Sequence, residues 1–320
     1  MRNTAYKPPF PYFGGKSAVA HIVWQAIGAD VKNYVEPFFG SGATLFLRPD
    51  GPGAIETVND ADGFVANFWR ALQREPDAVA MHADNPVNEC DLHARHLWLI
   101  GQRERITDRL AGDPDFYDAK AAGWWCWGLC CWIGSGWCSG KGPWVSEDGV
   151  MVLRNAGQGV NRKLPHLGDA GKGDYLAWFA DRLARVRVCC GDWSRVCGPS
   201  VTFLHGPTGV FLDPPYADTA TRTKDLYAVD CESVAHAVRE WAIEQGQNPL
   251  MRIVLAGYDG EHKMPGDWRE YAWKAAGGYA FSGAADSIGK DNRNRERLWF
   301  SPACLPVESE IESGIFAGAK

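Results

Sequence analysis

Four consecutive residues, Asp213-Pro214-Pro215-Tyr216, bring together a carboxylate, a rigid carbonyl-bearing turn and an aromatic ring. Asp213 and the Pro214 carbonyl can accept hydrogen bonds from an exocyclic amino group, proline has no N–H to compete, and Tyr216 can stack on a ring face. The chemistry this suits is work on an amino group carried by a flat ring. The preceding Gly209-Val210-Phe211-Leu212 reads as a short buried strand that the two prolines forbid from continuing past Asp213. The acid is therefore expected at a strand's carboxyl end, the edge at which open α/β sheets bind ligands. The plainer alternative is a proline-stopped strand with a capping Asp.

Two glycine-bearing segments precede it. Gly15-Lys16-Ser17 has the end of a phosphate-binding loop, but that motif's first glycine would fall at position 10, which is Phe, so a nucleoside triphosphatase is disfavoured. What remains is a turn that lets backbone approach a ligand, with Lys16 supplying positive charge and Tyr12 a stacking face. Asn33 to Phe46 reads as strand, glycine turn and helix start, with Glu36, Phe38, Gly40, Ser41 and Gly42 at the turn. A dinucleotide fingerprint would need a third glycine at position 45, which is Leu, so a smaller nucleoside ligand fits better. A second strand, Ala54 to Asp60, ends in an acid placed to accept bonds from ribose hydroxyls. Taken singly, each glycine pair is equally compatible with an ordinary turn.

These residues need a sheet to hold them. The chain has 320 residues, 46% of them hydrophobic, enough for one large α/β domain with an insertion. Strand candidates at 186–190, 251–258, 268–274 and 296–302 alternate with helical patterns at 175–186 and 231–245, and the sum is a doubly wound sheet of seven strands. Residues of about 76 to 182 break that rhythm. They hold a helix candidate from Leu92 to Leu110 and then the segment from Trp124 to Trp132, a run dense in Trp and Cys that reads as core. Paired Cys-x2-Cys knuckles are missing there, so no metal is expected. Segment 139–173, with Lys141, Arg154, Arg162, Lys163 and Lys172, reads as loops that could track a phosphate backbone or simply face solvent. A net charge of −6 excludes a uniformly basic binder but not a local basic groove. With no apolar run of about 18 residues and no apolar core in the first ten, the expectation is a cytoplasmic chain with reduced cysteines.

In this order, the segments resemble the DNA adenine methyltransferases of the Dam type, α group, which use S-adenosylmethionine. Pro11-Tyr12-Phe13-Gly14-Gly15-Lys16 resembles the family's N-terminal cofactor motif and Glu36-Pro37-Phe38-Phe39-Gly40-Ser41-Gly42 its glycine-rich motif. Asn59-Asp60 resembles its ribose-binding acid, and Asp213-Pro214-Pro215-Tyr216 matches its catalytic motif. The resemblance implies a Rossmann-like sheet, S-adenosylmethionine at Tyr12, Lys16, Glu36, Phe38, Gly40, Ser41, Gly42 and Asp60, and Asp192 at the cofactor adenine. It implies catalysis by Asp213, Pro214 and Tyr216 on an adenine flipped out of double-stranded DNA. The expected division is a catalytic domain of residues 1–75 and 183–305, an inserted target-recognition region at 76–182 and a flexible tail at 306–320. Arg222, Lys224, Lys290, Arg293 and Arg295 are the DNA-binding candidates. The alternatives are cytosine N4 methylation, which more usually resembles a Ser-Pro-Pro-Tyr pattern, methylation of RNA or protein amides, which usually carries Asn at position 213, and a catalytically silent DNA-binding module.

Overall fold

A computed structural model of the chain describes residues 7–12, 14–49, 53, 55–133, 137–138, 144–147, 150–153, 159–167, 174–215, 231–273 and 295–308. Its strands are β1 (Asn33–Glu36), β2 (Ile55–Asp60), β3 (Trp144–Glu147), β4 (Val150–Leu153), β5 (Arg187–Cys190), β6 (Thr208–Leu212), β7 (Met251–Tyr258), β8 (Arg269–Ala272) and β9 (Glu296–Phe300). Its helices are α1 (Ala20–Ile27), α2 (Ala43–Phe46), α3 (Gly63–Arg74), α4 (Pro76–Ala83), α5 (Glu89–Gly112), α6 (Ala119–Cys131), α7 (Asp174–Leu183) and α8 (Cys231–Gln245). The main sheet has seven strands in the order β5-β2-β1-β6-β7-β9-β8. From β5 to β7 the strands are parallel, whereas β9 runs antiparallel to both of its neighbours. The fold is the expected Rossmann-like α/β sheet. The reversal at one end has a positional consequence, since it brings the start of β9 to the edge where β6 and β7 finish.

The pleat explains how strands without a polar face are covered. Successive side chains point to opposite faces, so a strand buried on both sides reads as a continuous apolar run. Phe211, Val254 and Ala256 enter one hydrophobic cluster, and their neighbours Val210, Leu212, Ile253 and Leu255 enter the other. The second cluster is closed by Val238 and Ala242 of α8 and by Val196 of a 3-10 turn after β5. The first is closed by α1, α3, α4, α5, α6 and α7.

Helix α6 shows why the Trp- and Cys-rich run is core. Asp118 caps it, accepting from the Ala121 N–H at 2.8 Å, and the cap is fastened to α3 by a reciprocal pair of bonds between Asn67 and the Asp118 backbone, at 2.9 and 2.8 Å. Trp125, Cys126, Trp127, Cys130 and Cys131 are all buried, so the helix is apolar around most of its girth. Burial pushes the Cys126 thiol well above its ordinary range and Cys131 up to about 11, which keeps them neutral and unreactive. Among the described residues no group of three His, Cys, Asp or Glu side chains is placed to hold a metal ion.

The structure corrects the reading of segment 139–173 as loops throughout. Strands β3 and β4 pair antiparallel, Glu147 opposite Val150, as a hairpin. A local signal for it exists: Asp148-Gly149 is a preferred two-residue hairpin turn, flanked here by Trp, Val, Met and Leu. Among the described residues no helix is long and apolar enough to cross a membrane.

Candidate active site

Because β5, β2, β1 and β6 are parallel neighbours, the residues following each of them stand side by side along one edge of the sheet. The turn after β1 is the tightest. Gly40 and Gly42 have φ of 47° and 72°, in the left-handed region that disfavours a side chain. A Cβ on Gly40 would meet the Tyr12 ring at 2.4 Å, so the Tyr12 ring is laid directly on the turn. The turn is fixed by the Gly40 N–H donating to Asp60 Oδ2 (2.9 Å), the Phe39 N–H to the Asn59 carbonyl (2.9 Å) and the Trp69 indole to the Gly40 carbonyl (2.8 Å). Asn59 donates to the carbonyls of Pro37 and Gly191, both at 3.0 Å, and so staples the turns after β1 and β5 together.

Asp213 stands immediately beyond β6, at the expected strand end. Lys16, read from sequence as a charge for the cofactor, points to it, with Nζ 2.9 Å from Asp213 Oδ1 and 2.8 Å from the Gly14 carbonyl. Lys16 is only 4% exposed and Asp213 20%. Burial pulls the lysine down, but the charges of Asp213 and Glu296 outweigh it and hold Lys16 above its ordinary value. Glu36 lies buried at the end of β1 and accepts from the Tyr34 hydroxyl at 2.9 Å. Burial raises it well above the carboxylate range, and the charges of Asp213 and Asp60 add to the effect.

The other end of the edge has the chemistry of a nucleoside site. Asp60 accepts from the Gly40 and Asp62 N–H groups at 2.9 Å each, and burial raises it to about 7 against those two bonds. Asp192 follows β5, the strand paired with β2, and accepts from the Ser194 N–H at 2.9 Å and from the Ser194 hydroxyl. Next to it the Trp193 and Phe38 rings lie near parallel, 28° apart with centroids at 6.4 Å. Two half-buried aromatic rings packed on each other beside an acid offer an apolar face to a flat heterocycle.

Residues 12–94, about a quarter of the chain, match the family model for D12 class N6 adenine-specific DNA methyltransferase. Residues 12–94, which hold the turns after β1 and β2, are thus similar to a methyltransferase of the D12 class. That class is an enzyme family whose reaction is methylation of adenine N6 in DNA, and this reaction is the one the chain performs. No curated protein matches the chain significantly. The family implies S-adenosylmethionine as donor, and the residues of the methyltransferase domain suit it. Glu36 and Asp60 are buried acids that burial drives toward the protonated form, and a cofactor that carries a sulfonium and an ammonium would supply the positive charge that ionises them.

The methyltransferase edge therefore gathers Tyr12, Lys16, Glu36, Phe38, Gly40, Ser41, Gly42, Asp60, Asp192, Asp213 and Pro214 of the sequence-derived residues. Tyr216, Arg222, Lys224, Lys290 and Arg293 lie outside the described residues. Arg295 is half-buried, its guanidinium 5.3 Å over the Tyr258 ring. Three participants escape the sequence reading. Sequence alone leaves Trp193 without a role beyond the 186–190 strand candidate, although an aromatic directly after an acid at a strand end signals a ring site. It places Glu296 only in a strand, and Tyr34, partner of Glu36, only in an apolar run.

Proposed function

We propose that this enzyme methylates adenine N6 by holding a flipped-out adenine at Asp213 and the Pro214 carbonyl, with Tyr216 against the base. Asp213 at the end of β6, one oxygen engaged by Lys16, is the observation that carries this reading. A base within a duplex cannot bring its amino group to a buried site, so extrusion is required, at a cost of a few kcal/mol that stacking on Tyr216 offsets by about 1–3 kcal/mol. The adenine amino lone pair is delocalised into the ring. Acceptance of both N–H bonds, by Asp213 and by the Pro214 carbonyl, favours a more tetrahedral nitrogen whose lone pair is aimed at the methyl donor. When bound, S-adenosylmethionine supplies an electrophilic methyl on a positively charged sulfur. Asp213 need not be a strong base beforehand, because the nitrogen becomes acidic only as the new bond forms.

In this reading Asp60 receives the cofactor ribose, Asp192 and the Phe38–Trp193 pair its adenine, and Glu36 its cationic end. No metal takes part. The ribose role predicts a pH dependence. Asp60 accepts hydrogen bonds at both oxygens only as a carboxylate, since protonation turns one oxygen into a donor, and its raised value near 7 means that it gains a proton as pH falls through neutrality. Cofactor affinity measured by calorimetry should fall below pH about 7, by up to about tenfold per pH unit. Asp60→Asn should bind about 1–3 kcal/mol more weakly with that inflection gone. An inflection kept in the variant would move Asp60 out of the ribose site.

Residues 76–182 serve as the target-recognition region, and residues 1–75 and 183–305 as the catalytic domain. On the DNA side, Arg293 and Arg295 contact phosphates. Replacing each by Ala should lower the slope of log affinity against log salt by about one. Slopes equal to that of the unaltered chain would remove both from the DNA contact. The reaction itself is tested with methyl-labelled S-adenosylmethionine and duplex DNA. Label should be recovered as N6-methyladenine after digestion, and DNA left unlabelled by a folded, cofactor-binding chain would overturn the proposal.

A further inference from the structure

One buried side chain joins the two turns that carry the Phe38 and Trp193 rings, and the methyl-transfer step makes no use of it. Asn59 is the penultimate residue of β2, 1% exposed, on the strand that lies between β1 and β5. The ladder joining β1 to β2 ends at Glu36 opposite Val58, and the one joining β2 to β5 ends at Asp60 opposite Cys190. Past those points the sheet no longer spaces the two turns, and Asn59 takes over. Its side-chain nitrogen donates to the Pro37 carbonyl and to the Gly191 carbonyl, at 3.0 Å each. Its own main-chain carbonyl accepts from the Phe39 N–H at 2.9 Å, so this one residue holds the peptide groups on both sides of Phe38. Gly191 is held on both sides as well, its N–H donating to the Asp60 carbonyl at 3.1 Å.

We propose that Asn59 is a positioning residue for the cofactor's adenine: it clamps Phe38 on one turn and the main chain leading to Asp192 and Trp193 on the other, and so keeps the two rings packed as one face for the base. The inference rests on the reading of Asp192 and the Phe38–Trp193 pair as the adenine site. The residue type is what the role requires. A carboxamide nitrogen offers two donors in one plane, where a serine offers one and a carboxylate none. Asn59 Oδ1, by contrast, is buried without a partner among the described residues, an arrangement that costs stability where an apolar side chain of the same size would not. What the side chain contributes is its pair of donors. The two rings lie 28° apart with centroids at 6.4 Å, and Trp193 is backed edge-on by Trp241 of α8 at 6.2 Å. Helix α8 thus supports one ring, and the bonds of Asn59 place the other beside it. Rings already held in place lose less freedom when a base stacks on them.

The test compares the full chain with Asn59→Leu, which keeps the size of the side chain and removes both donors. Affinity for S-adenosylmethionine, measured by calorimetry, should fall by about fivefold to tenfold, since the rings must then be ordered at the moment of binding. The same replacement in a Phe38→Ala background should change affinity by less than about twofold, because the ring that Asn59 positions is already gone. Equal losses in the two backgrounds would mark general softening of the sheet edge and overturn the proposal, as would an unchanged affinity in the single variant. Should Asn59→Leu fail to fold, Asn59→Ser takes its place with the same outcomes. A second readout needs no cofactor. With fluorotryptophan incorporated and the Trp193 signal assigned through Trp193→Phe, the fluorine resonance of the ligand-free chain should move in Asn59→Leu in the direction that it moves in Phe38→Ala. A resonance that keeps its native position overturns the placement of the rings by Asn59. A chain that bound no S-adenosylmethionine while its fluorine resonance moved as expected would overturn the adenine reading and keep Asn59 as the residue that positions the two rings.

Discussion

Asp213→Asn should lower single-turnover methyl transfer by about 10²–10³-fold, the scale of losing one preorganised electrostatic contact at the reacting atom. Cofactor affinity should stay within a few-fold, because Asp60, Asp192 and the glycine turn after β1 lie on other strand ends. Asparagine keeps the shape of the side chain and an oxygen for Lys16, so the variant isolates charge from packing. Asp213→Ala makes a different experiment. It removes the acceptor and also strips a 4%-exposed ammonium of its 2.9 Å partner. Breaking a buried pair from one side costs about 3–5 kcal/mol, less here because Asp213 is 20% exposed and Glu296 still acts on Lys16. The two variants should therefore agree in rate and differ in stability. Measured by quench-flow with labelled cofactor and by urea unfolding, an Asp213→Asn rate within threefold of the native chain would remove Asp213 from the reaction.

The site was legible in the sequence where backbone chemistry forces the answer. Pro214 and Pro215 end a strand wherever they occur, so the position of Asp213 followed from residue types alone. Gly40 and Gly42 marked a turn that a side chain would obstruct, and the structure supplies the obstruction, the Tyr12 ring. The parts that were not legible depend on which distant segments meet. Nothing local to Gly15-Lys16 indicates that the lysine bonds an acid nearly two hundred positions later, and nothing local to Glu296 indicates that its strand runs backwards. An apolar run such as Leu298-Trp299-Phe300 fits a parallel or an antiparallel place equally well, because both faces are buried in either case. The β3–β4 hairpin is a different kind of omission, a local turn signal hidden among glycines and lysines.

Phe10→Ala should be the most damaging substitution outside the catalytic edge, because one ring joins three parts of the molecule. Phe10 is fully buried, with its ring centroid 5.0 Å from Phe68 of α3, 5.0 Å from Trp125 of α6 and 6.1 Å from Tyr12. The adjacent Pro9 carbonyl accepts from the His166 N–H at 2.8 Å, so residues 159–167 also grip the main chain just before Tyr12 and the Gly14-Gly15 turn. Truncating a buried Phe costs about 3–5 kcal/mol, from lost burial and from the cavity left among rings that cannot fully collapse. The loss should also reach function, since Tyr12, lying on Gly40, and Lys16, at Asp213, hang from this anchor. Cofactor affinity should fall by severalfold under conditions where the variant remains folded. Leu99→Ala on α5 supplies the control: Leu99 is equally buried but is not a ring neighbour of Phe10, and it should cost about 2–5 kcal/mol without changing cofactor affinity. If both variants weaken cofactor binding alike, the effect is general softening of the core. A selective loss in Phe10→Ala would establish that α6 and the sheet edge holding Asp213 are joined through the N-terminal segment that runs from Phe10 to Lys16.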